Sequence, residues 1–204
     1  MLIDLGSGNG KNSLPLKKFF SKVILVDTAL DKSYLSSLAF NTNDVRIIDE
    51  DLLSSNLYDK LSRITSDNGR VFLVTYTIDH MMYQDLNIFL NLLSSAIREN
   101  DILIITFFNQ ESFDTFDQKI FNNSYCTSTI RFLDHTLNTG QKMLATRMQD
   151  NLYELHSYIS SEYIESFLSM SINSHTIAAK AIFTEQWAND ISDEFISMTC
   201  LRLE

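Results

Sequence analysis

Three of the five glycines of this 204-residue chain lie within five residues of one another near the start of the sequence. The segment reads MLIDLGSGNGKN, so that Gly6, Gly8 and Gly10 follow a short apolar run that contains the acidic residue Asp4. Glycine permits positive φ angles and has no Cβ atom, so such a turn brings bare backbone close to whatever it faces. A strand, a glycine turn and a helix in succession predict a ligand site at the carboxyl end of a sheet. The alternative is a tight strand-to-helix turn that binds nothing.

Apolar runs alternate with helix-like segments through the first half of the chain. The runs suit buried parallel strands and occupy residues 2–5, 22–27, 45–49, 70–77 and 101–108. Helical spacing of apolar residues is found at residues 13–20, 30–40, 52–64 and 84–98. In the first of these helices Phe19 is predicted to face the core. The alternation predicts an α/β fold, a mainly parallel sheet with helices on both faces.

In the second half of the chain the predicted strands and helices no longer alternate. Three short strand-like segments follow one another without helices between them, at residues 125–132, 142–148 and 153–158. They predict a small antiparallel insertion at about 122–160 within a single domain that spans residues 1–204. A helix at 162–170 and two closing strands at 176–183 and 195–203 complete the prediction.

Charge and cysteine content narrow the class of protein. The formal net charge is −10 and the pI is about 4.8, so bulk charge does not favour binding to nucleic acid. Cys126 and Cys200 lie far apart and form no metal-type spacing, which predicts reduced thiols in a cytoplasmic protein. No apolar stretch reaches the length of a membrane span and no signal peptide is evident, so no membrane partner is expected.

The glycine spacing points to one family. G-x-G-x-G differs from the G-x-G-x-x-G of dinucleotide-binding folds. Preceded by Asp4, it resembles the first motif of the class I S-adenosylmethionine-dependent methyltransferases. The resemblance implies a Rossmann-like fold and S-adenosylmethionine as cofactor. It also implies that Gly6, Gly8 and Gly10 pack against the methionine part of the cofactor, and that Asp4 helps to organise that end.

Two further acids stand where this family has cofactor ligands. Asp27 ends the second strand, where the resemblance implies hydrogen bonds to the ribose hydroxyls; a helix N-cap is its alternative role. After the third strand, Asp49 and Asp51 both compete for a place beside the adenine. The family pattern of an acid followed by an apolar residue favours Asp51, although a solvated acidic loop is a rival explanation.

The segment TIDHMM after the fourth strand suggests an acceptor. The mRNA cap guanine-N7 methyltransferases carry Gln-Phe-x-x-His-Tyr at this point. His80 matches the histidine, whereas Tyr76 replaces the glutamine and Met81 the tyrosine. This partial resemblance implies that His80 contacts the substrate and that Tyr76 lies beside the cofactor. A loop histidine that caps a helix is the alternative for His80.

Two later residues extend the resemblance to the cap enzymes. Glu162 takes the place of a glutamate that binds the guanine edge, and Phe195 replaces a tyrosine that packs near the guanine. The ordinary alternatives are a first-turn helix acid for Glu162 and a core residue for Phe195. The antiparallel insertion matches a feature that covers the substrate pocket in this family.

The implied chemistry requires little from side chains. Guanine N7 has a lone pair and no proton, so we expect orientation of the reactants to suffice, with no catalytic nucleophile and no metal. The predicted partner is capped RNA or a GpppN end, in host cytoplasm or a virion if the protein is viral. The cap family has a helix before the first strand that is missing here, so the segment comes from a partner chain, the chain is a fragment, or the protein functions without it.

Two other hypotheses stay open at this point. One is a class I methyltransferase that acts on a small molecule or protein, which the acidic charge favours. The other is a non-catalytic, methyltransferase-like subunit that stabilises a partner.

Overall fold

A computed structural model describes residues 1–28, 44–66, 68–108, 130–133, 143–149, 152–157, 159–172, 176–186 and 195–203. The helix predicted at residues 30–40 and the first part of the strand predicted at 125–132 lie outside these ranges. Within the described ranges, no helix is both long enough and apolar enough to cross a membrane.

A seven-stranded, mostly parallel sheet forms the framework. Its strands are β1 (Leu2–Leu5), β2 (Val23–Val26), β3 (Val45–Ile48), β4 (Val71–Val74), β5 (Ile102–Phe108), β9 (Ile177–Gln186) and β10 (Phe195–Leu203). They lie in the order β3-β2-β1-β4-β5-β10-β9. The strands β1 to β5 pair in parallel with one another, and β10 pairs antiparallel with both β5 and β9. This arrangement confirms the predicted mainly parallel sheet and both closing strands.

Helical segments cover both faces of the sheet. The α-helices are α1 (Ser55–Arg63), α2 (Tyr83–Ala96) and α3 (Ser161–Ser171), and a short 3-10 helix spans Leu14–Phe19. Apolar residues recur along α2 at helical spacing, and those that are buried are Leu86, Phe89, Leu90, Leu93 and Ala96. The three α-helices share one core with β1–β5 and β10, whereas the 3-10 helix packs on the opposite face.

Alternation along the strands divides the core into these two halves. In β1, Ile3 and Leu5 face the α-helices, whereas Leu2 packs on the other side with Leu25 and Leu73. Successive side chains of a strand point to opposite faces, so strands buried on both faces read as continuous apolar runs. That pattern is why the sequence located β1, β2 and β5 closely.

The prediction for Phe19 is wrong, since 69% of this side chain is exposed. The predicted helix is a six-residue 3-10 helix, which has three residues per turn. Leu14, Leu16 and Phe20 pack toward the sheet, whereas Phe19 points to solvent.

A second, three-stranded antiparallel sheet follows β5. It consists of β6 (Ile130–Leu133), β7 (Met143–Gln149) and β8 (Leu152–Ser157) in that order. Its strands fall within the insertion expected at about 122–160. That this sheet covers a substrate pocket within one domain stays a prediction.

Candidate active site

A cavity of about 950 Å³ lies at the carboxyl ends of the parallel strands. The residues that line it follow β1, β2, β3 and β4 in the chain, and the first turn of α2 adds one more, Asp85. The strand order reverses at β1, which lies between β2 and β4. Parallel sheets bind ligands at such a reversal, because the connections on its two sides run to opposite faces and leave a crevice.

The glycine turn forms one wall of the cavity. Gly6, Gly8 and Gly10 all have positive φ, at 75°, 52° and 74°. A Cβ atom on Gly8 would meet nothing within 4 Å, so this residue presents bare backbone to open space. A Cβ on Gly6 would lie 2.4 Å from the side chain of Thr77, and one on Gly10 would lie 2.8 Å from that of Leu14. These two glycines therefore leave room for the protein's own side chains.

Gly6 and Gly8 line the cavity, whereas Gly10 is buried and is not among the lining residues. All three were predicted to contact a cofactor. For Gly10 the structure supplies a packing reason, and its contact with a cofactor stays a prediction.

Asp27 connects the glycine turn to the end of β2. The backbone N–H of Gly8 donates a hydrogen bond to Asp27 Oδ2 over 2.7 Å. The Asp27 side chain is half-buried and lines the cavity beside Gly8. This bond aligns the turn with the strand-end carboxylate.

Asp4 is buried behind the turn, with only 1% of its surface exposed. Neither of its carboxylate oxygens has a hydrogen-bond partner, and the buried hydroxyls of Ser7 and Ser13 also lack one. Burial raises the pKa of Asp4 to about 6, the adjacent Ser13 hydroxyl lowers it, and the negative charge of Asp27 adds to the rise. Buried polar groups are normally paired. Ser7 of this cluster lines the cavity, whereas Asp4 and Ser13 are not among the lining residues.

The segment after β3 supplies the far end of the cavity. Asp51 lines it and accepts a hydrogen bond from Leu53 N over 2.8 Å, whereas Asp49 is not among the lining residues. Glu50 also lines it, which the sequence did not indicate. Its carboxylate is occupied by Lys60, whose Nζ lies 2.9 Å from both oxygens. Asp51 is thus the aspartate of the two that stands where an adenine ligand is expected.

The segment after β4 forms the opposite wall. Thr75, Tyr76, Thr77, His80 and Met81 line the cavity here. Tyr76 has a φ of 55°, and it is the one non-glycine residue with positive φ in the described part of the chain. A backbone strained in this way is common at ligand sites, where the surrounding structure holds it.

Comparisons with known proteins agree with this geometry. No protein-family model matches the sequence, and neither does any curated protein. Solved structures do match. A methyltransferase from Anabaena variabilis has a TM-score of 0.69 at 14% identity, and the match covers 100% of this chain and 76% of the Anabaena chain. A methyltransferase from Methanosarcina mazei has a TM-score of 0.64 at 11% identity, and the match covers 99% of this chain and 90% of the Methanosarcina chain.

A third match is the magnesium protoporphyrin IX methyltransferase of Synechocystis with bound S-adenosylhomocysteine. It has a TM-score of 0.56 at 12% identity, and the match covers 100% of this chain and 72% of the Synechocystis chain. The fold is that of the S-adenosylmethionine-dependent methyltransferases. Identities of 11–14% establish this methyltransferase fold and leave the acceptor open.

Within the methyltransferase fold, Asp79 is a buried acid that sequence reasoning missed. It is 1% exposed, and its Oδ1 accepts a hydrogen bond from Phe108 N over 2.7 Å, whereas Oδ2 has no partner. Burial raises the pKa of Asp79 to about 8, although the Phe108 N–H favours the ionised form. The bond ties the segment after β4 to the end of β5. An acid inside the apolar stretch TIDHMM was the only signal.

The residues predicted to bind a substrate belong to three separate segments of the chain. His80 is exposed and lines the cavity. Glu162 is exposed in the first turn of α3 and is not among the lining residues. Phe195 begins β10, opposite Gln186 of β9, and its side chain lies outside the described part. The guanine-binding roles of Glu162 and Phe195 stay predictions.

Proposed function

We propose that this chain is an S-adenosylmethionine-dependent methyltransferase. The observation that carries the proposal is the hydrogen bond between Gly8 N and Asp27 Oδ2 on the wall of the cavity. It unites the glycine turn after β1 with the acid after β2, which are the two elements that hold an adenosyl ligand in this fold. The same fold is found in neighbours crystallised with S-adenosylmethionine or S-adenosylhomocysteine.

The residues present fit this cofactor. The unpaired carboxylate of Asp4 lies behind the turn, where it attracts the cationic methionine end. Asp27 stands on the lining for the ribose hydroxyls, and Asp51 stands there for the adenine. The bare backbone of Gly8 allows close approach between these points. When bound, the cofactor supplies an activated methyl group.

The mechanism proposed for the chain is orientation. The rigid turn at Gly8 and the loop after β4 hold the two reactants on opposite sides of one crevice. Orientation of this kind supplies roughly 7–11 kcal/mol of a reaction barrier. Asp27 and Asp51 bind and orient, and neither is required to move a proton.

Calorimetry with S-adenosylhomocysteine tests the proposal. We expect micromolar binding to the unaltered protein, at least 10-fold weaker binding to Asp27→Ala, and no binding of NAD. Glu165→Ala is the matched control, because Glu165 pairs with Lys180 on the surface and does not line the cavity. Equal affinity in both variants would contradict the assignment of the site. No binding to any form would instead favour the non-catalytic subunit.

Guanine N7 of an mRNA cap is one candidate acceptor. Its support is the partial sequence resemblance and the place of His80 on the cavity wall. Transfer of labelled methyl to GpppG, with loss of activity but not of cofactor binding in Glu162→Ala, is the expected result. Retained activity in that variant would remove Glu162 from the guanine site.

A small-molecule acceptor is the second candidate. The acidic lining and the net charge of −10 favour it over a polyanion. Neighbours with this fold include enzymes that act on magnesium protoporphyrin IX and on 1,6-didemethyltoxoflavin. Transfer to small acceptors but not to GpppG would select this candidate.

A further inference from the structure

The cavity has two chemically distinct ends. Asp27 and Asp51 follow β2 and β3, whereas Thr77 and His80 follow β4. β1 separates β2 from β4, and neighbouring strands lie about 5 Å apart, so the two ends are roughly 10 Å or more apart. An adenosyl group that occupies the first end leaves the second for the acceptor.

Asp85 lies at the second end. It is half-buried in the first turn of α2 and lines the cavity. Asp85 forms no ion pair with any described residue. An acid in a first helical turn is favoured by the helix dipole, which explains its presence in the helix. The dipole does not explain why Asp85 lines the cavity.

The charge of the lining restricts what binds beside Asp85. Among the described lining residues Lys11 is the one lysine, whereas four lining residues carry carboxylates: Asp27, Glu50, Asp51 and Asp85. Glu50 is neutralised by Lys60. The remaining acids repel an anionic reacting group such as a phenolate or a carboxylate, and they stabilise a positive one.

Methyl transfer to nitrogen creates such a positive charge. The nitrogen lone pair forms a bond with the methyl carbon while the carbon–sulfur bond breaks. Sulfur keeps the electron pair of that bond and becomes a neutral thioether. The positive charge of the sulfonium thus moves to the acceptor nitrogen, next to the second end of the cavity. A fixed carboxylate there stabilises the developing charge without reorganisation.

We propose that Asp85 determines acceptor specificity, and that the acceptor is a neutral amine or nitrogen heterocycle that becomes cationic on methylation. This inference rests on the proposed function. It applies equally to the guanine of a cap and to a free nitrogen base, which share the reacting group.

The experiment compares two carboxylates of the same cavity, Asp85→Asn and Asp51→Asn. Binding of S-adenosylhomocysteine is measured first, by calorimetry. Asp85→Asn is expected to bind within 2-fold of the unaltered protein, and Asp51→Asn more weakly. Labelled methyl transfer is then measured with guanosine, GpppG, 1-methylimidazole and tryptamine as nitrogen probes, and with catechol and benzoate as oxygen probes.

We expect transfer to at least one nitrogen probe, and a fall of 10-fold or more in kcat/KM for that probe in Asp85→Asn, with Asp85→Glu partly restoring it. Methyl transfer to guanosine, compared with transfer to GpppG, distinguishes a free nucleoside from the cap as acceptor. Transfer only to oxygen, no transfer to any nitrogen probe, or unchanged kcat/KM in Asp85→Asn would overturn this proposal while cofactor binding persists. Loss of cofactor binding by the unaltered protein would instead overturn the proposed function.

Discussion

Arg70 and Asp101 form an ion pair in the interior, with Arg70 Nε 3.0 Å from Asp101 Oδ1 and both side chains almost fully buried. The guanidinium also donates to the carbonyls of Leu61 in α1 and Ala96 in α2, each over 2.7 Å. The pair precedes β4 and β5, at the sheet edge opposite the cavity. One side chain therefore joins the last turns of two helices to two strands, where the negative helix ends favour a cation.

Asp101→Ala is expected to cost about 3–5 kcal/mol of unfolding free energy, because it leaves the Arg70 charge buried without its partner. Arg70→Met is expected to cost less, about 2 kcal/mol, since the backbone N–H groups of Arg70 and Arg98 still donate to Asp101. Urea denaturation measures both, and binding of S-adenosylhomocysteine should be unchanged. Equal costs would show that the backbone donors do not compensate.

Gly8→Ala and Gly10→Ala separate ligand contact from packing. At Gly8 the added methyl meets open cavity, so we expect about 1–2 kcal/mol of backbone strain and at least 10-fold weaker binding of S-adenosylhomocysteine. At Gly10 the methyl meets Leu14 and Leu25. Gly10→Ala should therefore lower the melting temperature more than Gly8→Ala does, and it should change the affinity for S-adenosylhomocysteine less. Thermal unfolding and calorimetry give the two quantities. The reverse ranking of affinities would place the ligand behind the turn.

Asp79→Asn should stabilise the protein, and more so as the pH rises. The pKa of Asp79 is about 8 in the folded protein against the ordinary aspartate value of 3.8, so from about pH 4 to pH 8 only the unfolded chain releases this proton. The folded state accordingly loses stability across that window. The asparagine cannot ionise, and we expect a gain of about 2 kcal/mol, or about 4–8 °C, at pH 8.

Melting curves from pH 4 to pH 8 test this expectation. Asp4 titrates in both proteins and cancels in the difference. A constant difference between the two proteins would show that Asp79 is not held protonated.

Asp4→Asn should weaken binding of S-adenosylhomocysteine and remove its dependence on pH near 6. The pKa of Asp4 is about 6, so its carboxylate is charged at pH 8 and largely protonated at pH 5. A cationic ligand group beside Asp4 favours the charged form, and affinity for the unaltered protein should fall as the pH drops. Calorimetry at pH 5 and pH 8 measures this. The same fall in Asp4→Asn would assign it to another group.

The sequence predicted the strands well and the short helix poorly, for physical reasons. Buried parallel strands such as β1 and β2 need apolar side chains on both faces, so composition alone marks them. The choice between α and 3-10 geometry at residues 14–19 depends on the packing of six residues, and Phe19 was placed on the wrong face as a result.

The sequence likewise predicted some residues of the candidate site and missed others. Asp27 and Asp51 follow strands of a parallel sheet, and such strands all end at one edge, so their place on one cavity was predictable. Asp79 acts through Phe108, 29 residues further along, which no local pattern reveals. The sequence analysis did not single out Asp85, and only the cavity distinguishes it.

The left-handed backbone of Tyr76 has a practical consequence for directed evolution. Glycine adopts a φ of 55° without strain, so a screen for heat resistance alone would select glycine at position 76. That substitution also deletes the ring from the cavity wall. A screen that scores methyl transfer alongside survival at high temperature is expected to retain tyrosine, and disagreement between the two screens at this one codon would measure how much the ring contributes to the proposed activity.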